Sequence, residues 1–119
     1  MNIEEIERAR RKIGQIAREM LEEKLSYIEG ARLIWRLGPE ARLPDRDPDL
    51  TTFLAIDSET DALPMGKHRD DWSPDALERL QPEIDRAEAW ARHYGQEACR
   101  NLVNRFDCAI PKGSDSQSG

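Results

Sequence analysis

Five apolar residues, Ile6, Ala9, Ile13, Ile16 and Met20, recur at spacings of three and four in an otherwise charged stretch. That rhythm puts all five on one side of a helix and dictates an amphipathic rod at the start of the chain. Glu7, Arg11, Arg18 and Glu22 fall on its opposite face. Asn2 and Glu5 form an N-x-x-E start, in which each side chain can satisfy a free N–H of the first turn. The stripe is shorter than three heptads, which predicts a bundle helix rather than a long coiled coil.

The same periodicity returns downstream. Ser26 and Glu29 predict a second capping box, opening a helix to about Leu37 with Ile28, Ala31, Ile34 and Trp35 inward and Tyr27 alongside. Gly30 inside it costs about 1 kcal/mol against alanine, so a close neighbour is expected there. Gly38-Pro39 ends that helix, and the prolines at 39, 44 and 48 mark a connecting loop. Asp47-Pro48 is an N-cap and N1 pair. It predicts a short helix through Leu50, Phe53, Leu54 and Ile56 to about Ser58, with a strand over 51–56 as the alternative.

Residues 57–72 show no period and are expected to form an ordered loop or a broken turn. Ser73-Pro74 caps a further helix carrying Leu77, Leu80, Ile84, Ala87, Ala91 and Tyr94. Pro82 is expected to kink or divide it, and Gly95 to end it. A last helix over 96–106 turns Ala98, Leu102, Val103 and Phe106 inward. The expected fold is all-α: a single-domain irregular bundle of four to six helices with an acidic central loop. It occupies residues 1–106, and a polar tail, 107–119, is expected to be disordered.

Hydrophobic residues make up 38% of the chain and charged ones 35%, so the core must be lean. The two cysteines, Cys99 and Cys108, match neither a disulfide framework nor a zinc spacing. No apolar leader opens the chain, and no stretch reaches the roughly 18–20 apolar residues of a membrane span. These features predict a reduced, cytoplasmic protein without membrane contact. The net charge is −6, of which residues 37–72 carry −5. Negative charge so placed repels phosphate backbones and favours basic proteins, which argues against nucleic acid as a direct ligand.

No complete catalytic constellation is visible. A calcium loop begun at Asp57 or Asp45 lacks the glycine at its sixth position and the glutamate at its twelfth. His68 and His93 stand outside any metal or dyad spacing. Phosphate loops, nucleophile elbows and dinucleotide fingerprints are absent. No cofactor and no metal are therefore expected. Cys99 reads as a buried thiol, Trp35 and Trp90 as core residues, and Trp72 as either a staple or the rim of a binding surface.

Two blocks, Leu25-Ser26-Tyr27-Ile28-Glu29-Gly30-Ala31-Arg32 and Ile56-Asp57-Ser58-Glu59-Thr60-Asp61-Ala62-Leu63-Pro64, resemble a family of short, largely uncharacterised bacterial proteins. That family shares an I-E-G-(A/C)-R block, then I-D-S-E-T-D-x-L-P, then a tryptophan preceding a helix. The likeness spans about residues 10–106. Relatives of similar size and acidity look like immunity proteins that neutralise toxins, and the resemblance implies that role.

Together these readings predict a non-catalytic protein-binding domain, an immunity protein or antitoxin. Its acidic centre, Asp57, Glu59, Asp61, Leu63, Met65, Asp70, Asp71 and Trp72, is expected to meet the basic surface of a cognate toxin. Glu29, Arg32 and Ser58 are expected to anchor the central loop, with Arg32 paired to one of its carboxylates. The alternatives are a small metal-dependent hydrolase using Glu29, Asp57, Glu59, Asp61 and His68, or a structural subunit of a larger assembly.

Overall fold

The computed structural model of the chain describes residues 2–107, with residues 66–68 described by their backbone alone. Four α-helices and one 3-10 turn follow in order: α1 (Ile3–Leu21), α2 (Tyr27–Leu37), α3 (Pro48–Thr60), the turn Gly66–Asp71, and α4 (Pro74–Phe106). No strand occurs among the described residues, and none of their helices is long and apolar enough to cross a membrane. The fold is an all-α helical bundle.

Each helix starts where its capping residue stands. Asn2 Oδ1 accepts from the Glu4 N–H at 2.6 Å, and Asp47 Oδ1 accepts from the N–H groups of Asp49 and Leu50. Ser26 Oγ accepts from Ile28 and Glu29, and Ser73 Oγ from Ala76. The α2 start holds a partner that no local pattern reveals. The Glu88 carboxylate, from the middle of α4, accepts from Ser26 Oγ at 2.7 Å and from the Tyr27 N–H at 2.6 Å. A carboxylate at a helix N-terminus satisfies orphan donors and opposes the positive end of the dipole. Glu88 therefore ties α2 to α4 by capping it from outside.

Asp47 and Pro48 decide the middle of the chain for helix rather than strand, and α3 runs two residues past Ser58. The segment expected to open an acidic loop, Asp57 to Thr60, is its last turn. The second correction concerns α4, which is one helix of 33 residues, continuous through Pro82 and through Gly95. At 1.5 Å per residue such a rod is about 50 Å long, which matches the 51 Å long axis of the molecule. Gly95 ends nothing. A methyl group there falls 2.9 Å from Ile56 Cδ1 and 3.5 Å from Phe53 Cε1, so its bare backbone lets α3 lie against α4. Gly30 does the same for the Met20 side chain between α1 and α2.

The core gathers Ile13, Ile16, Ala17 and Met20 of α1, Tyr27, Ile28, Ala31 and Ile34 of α2, Leu50, Phe53 and Ile56 of α3, and Ile84, Ala91, Ala98, Cys99 and Leu102 of α4. Trp90 and Tyr94, expected inward, are instead exposed on α4. The buried stripe passes through Ala91 and Gly95, whose small size admits the neighbouring helices. Cys99 is buried, its Sγ 3.9 Å from Met20 Sδ, while Cys108 lies outside the described residues. Asp107, assigned to the tail by the sequence, belongs to the fold: it is a buried α4 C-cap residue whose Oδ2 meets Arg18 Nε at 2.8 Å.

A candidate docking groove beside the end of the third helix

Residues 29, 32, 33 and 36 stand at i, i+3, i+4 and i+7 on α2, the side turned away from its buried stripe. Glu29, Arg32, Leu33 and Arg36 form one wall of a groove of about 710 Å3. Asp57 and Asp61 at the end of α3, the chain from Ala62 to Met65, and Trp72 complete it.

Arg32 holds this site together. Its side chain is largely buried, with Nε 3.5 Å from Asp57 Oδ1. Its Nη2 donates to the carbonyl oxygens of Thr60 and of Leu63, the latter at 3.3 Å. Carbonyls of a last helical turn have no intrahelical donor, and a guanidinium there both satisfies them and suits the negative helix end. Thr60 Oγ1 donates back to the Ile56 carbonyl at 2.6 Å, closing the turn. One arginine thus fixes the end of α3 and the chain leaving it.

Arg32→Ala is expected to cost about 1 kcal/mol, because two carbonyls lose a donor while water reaches part of the gap. Proteolysis between Ala62 and Trp72 should quicken while helix content stays near that of the parent. Cleavage at the parent rate would show that the guanidinium does not hold this segment.

The other expected site residues do not all come here. Leu63 and Met65 are each 9% exposed and form the floor, so they are core residues rather than anchors offered to a partner. Ser58 is exposed, and among the described residues neither its side chain nor the Glu29 carboxylate makes a hydrogen bond or ion pair. The loop is held by Arg32 and Thr60. Glu59 points to a separate hollow beside Trp90. Asp70 and Asp71 are exposed on the 3-10 turn leading to Trp72, outside the groove lining. The acidic centre is therefore split, and Arg32 neutralises Asp57 within it. Leu33 and Arg36, which sequence reasoning passed over, were legible as the outward stripe of α2.

What remains is an apolar lip flanked by charged side chains. Leu33 is 40% and Trp72 41% exposed. Glu29 and Asp61 have no ion-pair partner among the described residues, and Arg36 is exposed beside them. No group of three His, Cys, Asp or Glu side chains is placed to hold a metal ion among the described residues. The His68 side chain lies outside them. The displaced pKa values belong elsewhere. Burial pushes Tyr27 and Cys99, both in the core, up to about 12. Asp47 and Arg105 are shifted by each other at the junction of α3 and α4.

No protein-family model matches this chain, and no curated protein or solved structure matches it.

Proposed function

We propose that the chain is a non-catalytic protein-binding domain of the immunity-protein or antitoxin kind, and that the groove beside α3 docks a basic surface of a toxin domain. The observation that carries this reading is an exposed tryptophan and leucine, Trp72 and Leu33, set beside the carboxylates of Glu29 and Asp61, which form no ion pair among the described residues. Aromatic anchors in partly desolvated hollows contribute most to the lifetime of a complex, and carboxylates at the rim speed encounter with a basic surface. The net charge of −6 extends that attraction beyond the groove. A helical frame that holds Trp72 in place before binding lowers the ordering cost of association.

Affinity capture from the native cell, followed by mass spectrometry, names the partner; kinetics with the purified partner then test the surface. Trp72→Ala should raise Kd about tenfold, mainly through faster dissociation. Glu29→Lys with Asp61→Lys should slow association and weaken its dependence on salt. Equal kinetics for all three proteins would remove the groove from consideration.

A further inference from the structure

A second hollow lies across the tip of α3 from the groove. Glu59 and Thr60 of α3 and Glu83, Arg86, Ala87 and Trp90 of α4 line it, around about 270 Å3. Trp90 is 38% exposed and stacks on Tyr94, which is 49% exposed, with ring centroids 5.3 Å apart and planes 16° from parallel. The two rings stand one helical turn apart, so each limits the other's rotamers and the indole is held beside the hollow. Both arginine–aromatic stacks among the described residues use Phe106, with Arg10 at 6.0 Å and Arg105 at 4.8 Å. Trp90 thus carries no internal cation there. Glu59, Glu83 and Arg86 make no ion pair among the described residues, leaving this rim with one net negative charge.

We propose that this hollow receives one lysine or arginine side chain of the same basic partner, so that the tip of α3 is gripped on both sides. This rests on the reading of the groove as the seat of a basic protein. Two carboxylates and an indole offer a cation both charge pairing and, over the ring face not stacked on Tyr94, the attraction of the ring quadrupole. Arg86 on the same rim limits the hollow to a single positive group. The two seats share a design: each combines an exposed tryptophan from outside α3 with a carboxylate from its last turn or the residue after it, Asp61 with Trp72 and Glu59 with Trp90.

The test follows the indole N–H signals of the 15N-labelled full chain during titration with an arginine–glycine repeat peptide, with a glutamate–glycine repeat as control. The arginine peptide should move the signals of Trp72 and Trp90 and leave that of the half-buried Trp35 in place, and the control should move none. Glu59→Gln with Glu83→Gln, both at exposed positions, should weaken the Trp90 response at least fivefold and leave that of Trp72 unchanged. A silent Trp90 beside a responding Trp72 overturns the second seat while the groove stands. A silent Trp72 beside a responding Trp90 overturns the groove and keeps the cation seat. Silence at both, or an equal response to the control peptide, overturns both.

Discussion

Replacing Arg105 by alanine will lower the unfolding free energy by about 2–3 kcal/mol at neutral pH, read from the urea midpoint at unchanged slope. Arg105 lies near the end of α4 and reaches the start of α3. Its Nη2 donates to Asp47 Oδ2 at 2.8 Å, and its Nη1 to Asp49 Oδ2 at 2.9 Å and to Asp47 Oδ1 at 3.1 Å. Asn101 Nδ2 donates to Asp49 Oδ1 at 3.0 Å. The side chains of Asp47 and Asp49 are only 6% and 12% exposed, so removing the guanidinium leaves two buried carboxylates without their cation. Arg105 itself is 37% exposed and partly screened by water, which places the loss below that of a fully buried pair.

The effect has a pH signature. The hydrogen bonds from Arg105, aided by the backbone N–H groups of Leu50 and Asp49 and opposed by burial, hold the Asp47 carboxyl below its ordinary value of 3.8. A group depressed on folding contributes stability above its unfolded pKa and loses it as pH falls through the folded value. The gap between parent and Arg105→Ala should therefore be full at neutral pH and narrow below pH 3.8. A gap that stays constant into the acid range would show that the arginine acts by packing, for instance through its stack on Phe106, and not by charge.

Gly14→Ala should destabilise the fold by about 2 kcal/mol, although alanine is the better helix former by about 1 kcal/mol. Gly14 is a buried residue within α1. A methyl group there would lie 2.8 Å from the Asp107 nitrogen and 2.9 Å from the Phe106 carbonyl carbon, both backbone atoms that cannot rotate away. Relief requires the end of α4 to move off α1, stretching the Arg18–Asp107 pair. At about 4 °C per kcal/mol for a domain of this size, the melting temperature should fall by roughly 8 °C. A rise would mean that helix propensity prevails and that the two backbones are not in tight contact.

These two sites show where local pattern stops being informative. The caps at Asn2, Ser26, Asp47 and Ser73 were legible, because a capping side chain serves N–H groups two or three residues ahead. The α1 stripe was legible for the same reason: spacings of three and four report one helical face. Gly95 and Pro82 misled because each has a local meaning that packing overrides. The proline at 82 costs α4 one N–H, and the helix runs on through it to the buried residues that begin at Ile84. Gly95 looks like a terminator but serves as the contact at which Ile56 and Phe53 approach. Trp90 and Tyr94 misled for a related reason, since large apolar residues beside a stripe were read as part of it.

The candidate site divides along the same line. Residues 57–61 were marked by their carboxylates, and Trp72 by its place before a cap. Whether those carboxylates shared a face was not contained in their order along the chain. A helix turn separates neighbours by 100°, so forming the last turn of α3 sent Asp57 and Glu59 to different hollows.

What the sequence alone determined is the all-α class, the positions and caps of the helix starts, the lean core and the excess of negative charge in the middle third. Each of these depends on residues within a few positions of one another, or on composition. Only the tertiary structure decided that Glu88 caps α2, that Arg105 closes α3 onto α4, that Arg32, expected to pair with a loop carboxylate, also takes the Thr60 and Leu63 carbonyls, and that Leu33 and Trp72 share a groove. Those contacts join residues 28 to 62 positions apart. The energy of such a contact depends on where packed backbones place two side chains, and no spacing along the chain records that.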